Sequence, residues 1–189
     1  MVEPRPKSAG DPATKRVRLT PRALWPDQSD TLKGRPVILL SFFDGIATAR
    51  LILDKLQVTV EHFWAWENFP DCVTIASHHW PEVQHQGDLM QACPKAIAAA
   101  VQALPAFADS EILITAGPPC PDYSRIRDSA PGRTGPEGKK FDMFCDFLVA
   151  FEDAIPKQRT ILIENVIPKN RPDAEHSPSA SADRIAQQQ

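Results

Sequence analysis

The sequence lacks the cysteine spacings that build zinc knuckles or disulfide frameworks. Its four cysteines, at positions 72, 93, 120 and 145, lie far apart, and no Cys-x-x-Cys pair occurs. This spacing favours reduced thiols in an intracellular compartment. Long hydrophobic runs are also missing, so no segment approaches the length of a membrane span. The polar, proline-rich start is unlike a signal peptide.

The chain also has little net charge. A formal charge of -3 over 189 residues gives no global basic field that would hold a polyanion, so any nucleic-acid affinity must come from a local patch. His78, His79 and His85 are not accompanied by a carboxylate or cysteine at a recognisable ligand spacing. We therefore expect no metal site and interpret these histidines as surface residues.

Both ends of the chain lack the apolar periodicity of a folded core. Residues 1–34 are rich in proline and contain the basic cluster Lys15–Arg18, which predicts a disordered tail, with a nuclear-import signal or a phosphate-contacting arm as the alternative. Residues 169–189 are largely Ser, Pro, Ala and Gln and predict a second disordered tail. One folded domain is expected within residues 35–168. The basic cluster favours the nucleus in a eukaryote, and otherwise we expect the cytoplasm.

The folded region opens with a strand, a glycine turn and a helix. The continuous apolar run Val37–Phe43 is typical of a central parallel strand covered on both faces. Asp44 and Gly45 break it, and a helical pattern follows over residues 46–57. Nucleotide-binding α/β folds begin in this way, because glycine lets the backbone approach a ligand closely. The apolar stripe expected on this helix consists of Ile46, Ala49, Leu53 and Leu56.

Strand and helix patterns then alternate along the chain, which predicts an α/β fold with a Rossmann-like parallel sheet of about five strands. The further strands are expected at Glu61–Glu67, just before Gln86, at Ile112–Thr115 and at Thr160–Ile163. The further helices are expected at Phe69–His79, Pro94–Leu104 and Phe141–Ile155, the last with a buried stripe of Phe141, Phe144, Leu148 and Phe151. The polar, basic stretch Pro121–Lys140 predicts a long binding loop or lid.

Chemically useful side chains follow the strand ends. An acid such as Glu67, at the end of the second strand, commonly binds ribose hydroxyls, although it could instead cap the next helix. Asp88 adds another carboxylate after the third strand. Two prolines hold Cys120 at a rigid exit from its strand, where a thiolate could act as a nucleophile, or where the thiol could be a small buried residue. Glu164 ends the fifth strand at the same edge.

Five segments occur in the order and at about the spacing of motifs I to IV and VI of the cytosine-5 DNA methyltransferases. Over residues 36–168 the chain resembles the N-terminal half of that catalytic domain, and its first motif is most similar to the de novo animal subgroup. The resemblance implies an S-adenosylmethionine-dependent methyltransferase fold, truncated before the last strands and the target-recognition domain. The segments are Phe43–Ala49, Glu67, Gly87–Asp88, Gly117–Cys120 and Glu164–Val166.

The resemblance also implies roles for individual residues. Cys120 would add to carbon 6 of a flipped-out cytosine in DNA, and a protonated or proton-sharing Glu164 would bind the ring nitrogen and the exocyclic amine. S-adenosyl-L-methionine would be the cofactor, with Glu67 at its ribose and Asp88 at its adenine. The implied cofactor-binding residues are Phe43, Asp44, Gly45, Ile46, Ala47, Thr48, Glu67, Asn68, Asp88 and Leu89, and the implied substrate-binding residues are Pro119, Ser124, Arg125, Arg127 and Asn165.

The chain departs from this pattern at three positions and in its extent. Pro121 stands where the family usually has Gln or Asn, Ala49 replaces the last glycine of the first motif, and Asn68 replaces an apolar residue beside the adenine. No later Gln-x-Arg-x-Arg segment is found. We therefore expect an incomplete catalytic domain that needs a missing segment or a second chain.

Other functions stay open at this point. An inactive or regulatory relative is favoured by Pro121, whereas the presence of Cys120 with Glu164 argues against it. A tRNA cytosine-5 methyltransferase is the second alternative, because one branch of the family shares these motifs. A methyltransferase acting on small molecules would explain Glu67 and Asp88 but not Cys120 and Glu164.

Overall fold

A computed structural model describes residues 34–124 and 129–166. The strands are β1 (Val37–Phe42), β2 (Val60–Trp66), β3 (Gln84–His85), β4 (Glu111–Ala116) and β5 (Arg159–Ile163), and the helices are α1 (Thr48–Lys55), α2 (Pro70–His79), α3 (Pro94–Gln102) and α4 (Pro136–Ala154). Short 3-10 turns cover Leu89–Gln91, Pro105–Phe107 and Gly132–Thr134. Across these ranges, no helix has both the length and the apolar character needed to cross a membrane. The expected tails, including Lys15–Arg18, lie outside the described residues apart from Gly34.

The five strands form one parallel sheet in the order β3-β2-β1-β4-β5. The predicted α/β class and the parallel, Rossmann-like sheet of about five strands are thus confirmed. The strand order reverses beside β1, since β2 lies on one side of it and β4 on the other. In open parallel sheets such a reversal leaves a crevice at the carboxyl ends of the strands, where ligands bind.

β1 is buried along its whole length, as its continuous apolar sequence predicted. Ile38, Leu40 and Phe42 contribute to the core beneath α3 and α4, whereas Leu39 faces a smaller core beneath α1 and α2. The larger core contains an aromatic cluster in which the ring of Phe42 stacks on Trp66 at 4.3 Å. Because apolar layers cover both faces, β1 is held firmly where its carboxyl end leads into the glycine turn.

The apolar stripe predicted on α4 is confirmed. Phe141, Phe144, Leu148 and Phe151 all face the core and are at most 1% exposed. The ring of Phe144 lies 5.2 Å from that of Phe42 and 6.0 Å from that of Phe43. This helix therefore packs directly beneath the turn that follows β1.

Two sequence-based expectations about the helices were wrong. On α1 only Leu53 of the predicted stripe is buried, while Ile46 and Leu56 are 52% and 44% exposed. The helix begins at Thr48, so Ile46 belongs to the turn. Among the described residues, nothing packs on the outer side of this short helix. The expected loop through Lys140 is also shorter, because α4 begins at Pro136 and contains both Lys139 and Lys140.

Among the described residues, β5 forms one edge of the sheet, and its outer surface is exposed to solvent. Leu162 on this strand is 62% exposed. An exposed apolar edge strand can pair with another chain or segment. Backbone pairing with β4 nevertheless holds β5 in register from Arg159 to Ile163.

Phe144→Ala is expected to lower the free energy of unfolding by about 3–5 kcal/mol, because it leaves a cavity between the aromatic rings of β1 and α4. Chemical denaturation would measure the loss. The neighbouring Met143 is 43% exposed, so Met143→Ala is the matched control and is expected to change stability by less than about 1 kcal/mol. Equal losses in the two variants would contradict the packing described for α4.

Candidate functional site

The turn after β1 is tightly wound. Phe43, Gly45 and Ala47 all have positive φ angles, of 52°, 60° and 63°. Glycine adopts this conformation freely, whereas Phe43 and Ala47 are strained, and such strain concentrates at ligand-binding sites. The turn brings the backbone of Gly45 close to the end of β2.

Glu67 ties this turn to the end of β2. One carboxylate oxygen, Oε2, accepts a hydrogen bond from the backbone N–H of Gly45 at 2.9 Å. The other, Oε1, accepts from the backbone N–H groups of Asn68 and Phe69 at 2.9 and 2.7 Å. Glu67 therefore organises the start of α2, as the alternative sequence interpretation proposed, while its side chain also lines the neighbouring pocket.

Asp44 lies at the end of a chain of side-chain hydrogen bonds. Thr115 on β4 donates to the hydroxyl of Ser41 at 2.9 Å, and Ser41 donates to Oδ1 of Asp44. Burial raises the pKa of Asp44 to about 6, against the lowering effect of the Ser41 hydrogen bond, and nearby Glu67 raises it further. The other oxygen, Oδ2, is buried without a hydrogen-bond partner among the described residues. Because the pKa of Asp44 is about 6 in the fold against an ordinary value of 3.8, the fold loses stability as the pH rises from about 4 to about 6, and the loss is complete above that pH.

A pocket of about 340 Å³ lies at the carboxyl ends of β1, β2 and β4. Seven of the predicted site residues line it, which brings together segments far apart in the sequence. Asp88 also accepts a hydrogen bond from the backbone N–H of Met90 at 2.9 Å, which fixes the 3-10 turn at the pocket wall. The lining residues are Phe43, Gly45, Trp66, Glu67, Asn68, Gly87, Asp88, Leu89, Met90, Gly117, Pro119 and Lys140.

The remaining residues expected at the cofactor lie away from this lining. Asp44 sits between two lining residues but points its carboxyl group toward Ser41. Ala47 is fully buried, Ile46 is exposed in the turn, and Thr48 is exposed at the start of α1. Of the first motif, only its beginning therefore lines the pocket, through Phe43 and Gly45.

Sequence reasoning missed three residues of the pocket wall. Trp66 was counted only as part of a strand, and Met90 lies in a 3-10 turn that periodicity does not reveal. Lys140 was assigned to the loop, whereas it projects from the first turns of α4 and pairs with Glu137 at 2.8 Å. Placing the start of the helix at Pro136, a residue type favoured at a first helical position, would have revealed the position of Lys140.

The ends of β4 and β5 bring the two expected catalytic residues to the same edge. Gly117 donates a backbone hydrogen bond to Phe42 at 3.2 Å, and Glu164 donates one to Ala116 at 2.9 Å. Pro119 lines the pocket, so the next residue, Cys120, lies at its border and is half-buried. The side chain of Glu164 is exposed. Neither Cys120 nor Glu164 is part of the pocket lining itself.

The loop carrying Cys120 is anchored to α4 by two buried residues that sequence reasoning did not single out. A carboxylate oxygen of Asp122 accepts hydrogen bonds from the backbone N–H groups of Glu137 and Gly138 at 2.8 and 3.1 Å. The hydroxyl of Tyr123 donates to the carbonyl of Gly138 at 3.2 Å, and burial raises the pKa of Tyr123 to about 12. At Gly138 a Cβ atom would lie 2.0 Å from a backbone oxygen, so only glycine allows this close approach.

Of the other residues expected to bind the substrate, two are half-buried and two lie outside the described residues. Ser124 is half-buried at the end of the described part of the loop, and Arg125 and Arg127 lie outside the described residues. Asn165 is half-buried, its Oδ1 accepts from the N–H of Val166 at 2.8 Å, and its Nδ2 is buried without a partner within the described ranges. An amide donor is therefore left available beside Glu164.

The histidines do not converge on one site. His78 and His79 are exposed on α2, as expected. His85 is half-buried instead, its Nε2 lies 2.9 Å from the hydroxyl of Ser77, and burial lowers its pKa. In residues 34–124 and 129–166, no three His, Cys, Asp or Glu side chains group in a way that would hold a metal ion.

Two solved structures share this fold. A Dnmt2 methyltransferase from S. pombe matches with a TM-score of 0.55 and 18% sequence identity, and a mutant of Spodoptera frugiperda DNMT2 matches with a TM-score of 0.53 and 17% identity. The matches cover 82% and 81% of this chain, but the chain spans only 41% of the length of either structure. At this level of identity the likeness shows the fold, which is that of Rossmann-like methyltransferases.

The sequence itself matches a family model over residues 37–175, a range that contains the pocket, Cys120 and Glu164. The matched range is more than half of the 189 residues. The chain belongs to the C-5 cytosine-specific DNA methylase family.

Proposed function

We propose that this chain is the cofactor-binding, nucleophile-bearing half of an enzyme that transfers a methyl group from S-adenosylmethionine to carbon 5 of cytosine in DNA. The observation that carries the proposal is the pocket at the strand ends, which has Glu67 and Asp88 in its lining and Cys120 at its border. Family membership supports cytosine methylation, and the chemistry of the pocket supports the choice of cofactor.

S-adenosylmethionine suits the donors and acceptors of this pocket. Glu67 already accepts three backbone N–H groups, and a carboxylate has about four acceptor positions, so one remains for a ribose hydroxyl. Asp88 would accept from the adenine amino group, between the apolar side chains of Trp66 and Met90. The buried, unpartnered Oδ2 of Asp44 favours a cationic ligand nearby. When bound, the cofactor supplies an electrophilic methyl group.

The catalytic residues would act on the cytosine ring. The Cys120 thiolate adds to carbon 6, and the displaced electron pair makes carbon 5 nucleophilic toward the methyl group. Glu164, sharing a proton with the ring nitrogen, stabilises the electron-rich ring, and the amide of Asn165 lies beside it. Carbon 5 would take the methyl group as the sulfur–methyl bond breaks, which leaves a neutral thioether. Loss of the carbon-5 proton to water would then expel Cys120 as its thiolate and restore the aromatic ring.

Substrate DNA would approach at the loop that follows Cys120. Ser124, Arg125 and Arg127 belong to that loop, and the exposed Lys139 lies in the first turn of α4, which begins at Pro136. Each cation adds salt-sensitive affinity for the phosphate backbone. We also propose that a further segment or a second chain completes the domain. The exposed Leu162 on the edge strand and the 41% coverage of the solved structures support this.

A second candidate function is a regulatory relative that binds the cofactor or a partner without methylating. Pro121 favours it, because proline provides neither the side-chain amide nor the backbone N–H that Gln or Asn would place beside the flipped base. The two candidates differ in one measurable result: the methyltransferase should form a covalent adduct with 5-fluorocytosine, whereas the regulatory relative should not.

Asp44→Asn is expected to abolish a pH dependence of cofactor binding. Asp44 gains its negative charge as the pH rises through about 6, and that charge attracts the sulfonium and ammonium groups of the cofactor. Calorimetry of the wild type should therefore show affinity for S-adenosylmethionine rising roughly threefold to tenfold between pH 5 and 7, since one unit of pKa shift equals about 1.4 kcal/mol. The variant should give a flat profile.

Asp54→Asn is the matched control, because Asp54 pairs with Arg50 on the surface of α1 and should leave the pH profile unchanged. A profile that still rises in Asp44→Asn, or that falls with pH in the wild type, would contradict the role given to Asp44. Absence of binding at millimolar cofactor would remove the cofactor assignment altogether.

Cys120→Ala is expected to abolish covalent trapping by 5-fluorocytosine. Fluorine at carbon 5 blocks the final elimination, so the adduct with the thiol persists and is seen as a shifted band or an added mass. The assay would combine the chain, the cofactor and a DNA duplex carrying the analogue, with an RNA stem-loop carrying it as a second arm. Cys93→Ala, which removes an exposed thiol elsewhere, should trap like the wild type.

Trapping by Cys120→Ala at the wild-type rate would show that the nucleophile is misassigned. An adduct with RNA alone would replace DNA by RNA as the substrate. Cofactor binding without any adduct on either nucleic acid, even when the completing segment or chain is supplied, would favour the regulatory candidate.

Asp122→Ala is expected to slow adduct formation at least tenfold while changing cofactor affinity by less than about threefold. The substitution removes the acceptor that fixes the Cys120 loop to α4 but leaves the pocket lining intact. Asp122→Asn retains one acceptor oxygen and should recover most of the rate. If the rate and the cofactor affinity fell together in both variants, Asp122 would be a general structural residue rather than one that positions Cys120.

A further inference from the structure

Lys140 brings a positive charge into the wall of the proposed cofactor pocket. Among the described residues that line this pocket, it is the only one with a cationic side chain. The side chain is 38% exposed, so its ammonium group is accessible to a ligand. The same wall contains the carboxylates of Glu67 and Asp88. A ligand in the pocket therefore meets charged acceptors and one charged donor.

The packing of α4 places Lys140 at the Asp88 end of this pocket. Side chains three, four and seven positions apart share one face of a helix, so Lys140, Met143 and Phe147 form one row along α4. Met143 and Phe147 line a neighbouring cavity together with the first two residues of the 3-10 turn Leu89–Gln91. Those two residues also line the cofactor pocket, directly after Asp88. The row therefore runs along this turn, and Lys140 continues it into the pocket beside Asp88.

The ion pair of Lys140 does not use all of its donors. Nζ donates to Oε1 and Oε2 of Glu137 at 3.0 and 2.8 Å. An ammonium group has three N–H donors, so one remains for a ligand. The two side chains of the pair are 38% and 31% exposed, and water screens such a pair, so its geometry is only weakly enforced. Lys140 can therefore turn toward a ligand at little cost.

Asp88 provides an acceptor next to this donor. Its Oδ1 accepts from the backbone N–H of Met90 at 2.9 Å, and since a carboxylate has about four acceptor positions, others remain for a ligand. Asp88 and Lys140 together present an acceptor beside a donor. Adenine displays the complementary pattern, because its amino group lies between two acceptors, ring nitrogens 1 and 7.

We propose that Lys140 determines specificity for the cofactor by donating to a ring nitrogen beside the adenine amino group, while Asp88 accepts from that amino group. The inference rests on the proposed function, because it requires an adenosyl ligand in the pocket. The cofactor carboxylate is the other acceptor that a lysine could bind. The proposed attraction of the sulfonium and ammonium groups to Asp44 places that amino-acid end at the turn after β1 instead.

Calorimetry with S-adenosylhomocysteine and its deaza forms would test this contact. Each deaza form replaces one ring nitrogen by C–H and so removes one acceptor. The wild type is expected to bind the 1-deaza or the 7-deaza form about fivefold more weakly than the parent ligand, as suits the loss of a partly exposed charged hydrogen bond. The 3-deaza form is the ligand control and should bind like the parent, because nitrogen 3 lies on the sugar side of the ring.

Lys140→Met keeps the length of the side chain but removes the donor. The variant is expected to bind the parent ligand about fivefold more weakly than the wild type does, and to bind the affected deaza form no more weakly than the parent, because the contact is already lost. Methylthioadenosine, which lacks the amino-acid end, should show the same loss in the variant. Lys55→Met is the matched control, since Lys55 is exposed at the end of α1 outside the pocket lining, and it should bind every ligand like the wild type.

The proposal is overturned if neither the 1-deaza nor the 7-deaza form binds the wild type more weakly, or if Lys140→Met leaves that difference unchanged. It is also overturned if Lys140→Met weakens S-adenosylhomocysteine but not methylthioadenosine, which would place the ammonium group at the carboxylate. Binding of the parent ligand without any dependence on Lys140 would remove this inference and leave the proposed function standing. A wild type that binds no adenosyl ligand would instead remove the cofactor assignment, and this inference with it.

Discussion

The structure depends above all on how one carboxylate, that of Glu67, holds two turns together. Its oxygens accept three backbone N–H groups, one from the turn after β1 and two from the start of α2. The turn after β1 has positive φ angles at Phe43, Gly45 and Ala47, a strained path that persists only when its surroundings hold it. The stacked rings of Phe42 and Trp66 fix the strands below, so Glu67 completes a rigid floor for the pocket.

The loop that carries Cys120, the proposed nucleophile, is held in a comparable way from the opposite side. Asp122 and Tyr123 bind the first turn of α4, and Phe144, further along that helix, packs against Phe42 and Phe43. α4 therefore contacts both the turn that frames the proposed cofactor pocket and the loop that carries Cys120. This shared support explains how residues more than seventy positions apart in the sequence keep a fixed relation at one edge of the sheet.

The sequence predicted the helices and strands that are buried along their whole length. It missed features that are only partly covered or that lie at a helix start or in a loop. The stripe on α4 was correct because the helix packs against the sheet along its length, whereas the stripe on α1 was wrong because Ile46 precedes the helix and nothing described covers Leu56. The motif acids Glu67 and Asp88 line the pocket as expected. Lys140 was missed because the predicted start of α4 lay too late in the sequence. Asp122 was missed because a single buried carboxylate in a loop leaves no periodic pattern.

The most direct test of the central claim is to map where S-adenosylhomocysteine, the methyl-free form of the proposed cofactor, binds on the nitrogen-15-labelled chain. The backbone amides of Gly45, Glu67, Gly87 and Asp88 are predicted to shift together and saturate, because these residues form the floor and wall of one pocket. Saturable binding that shifts other surfaces while leaving these four amides unmoved would contradict the account.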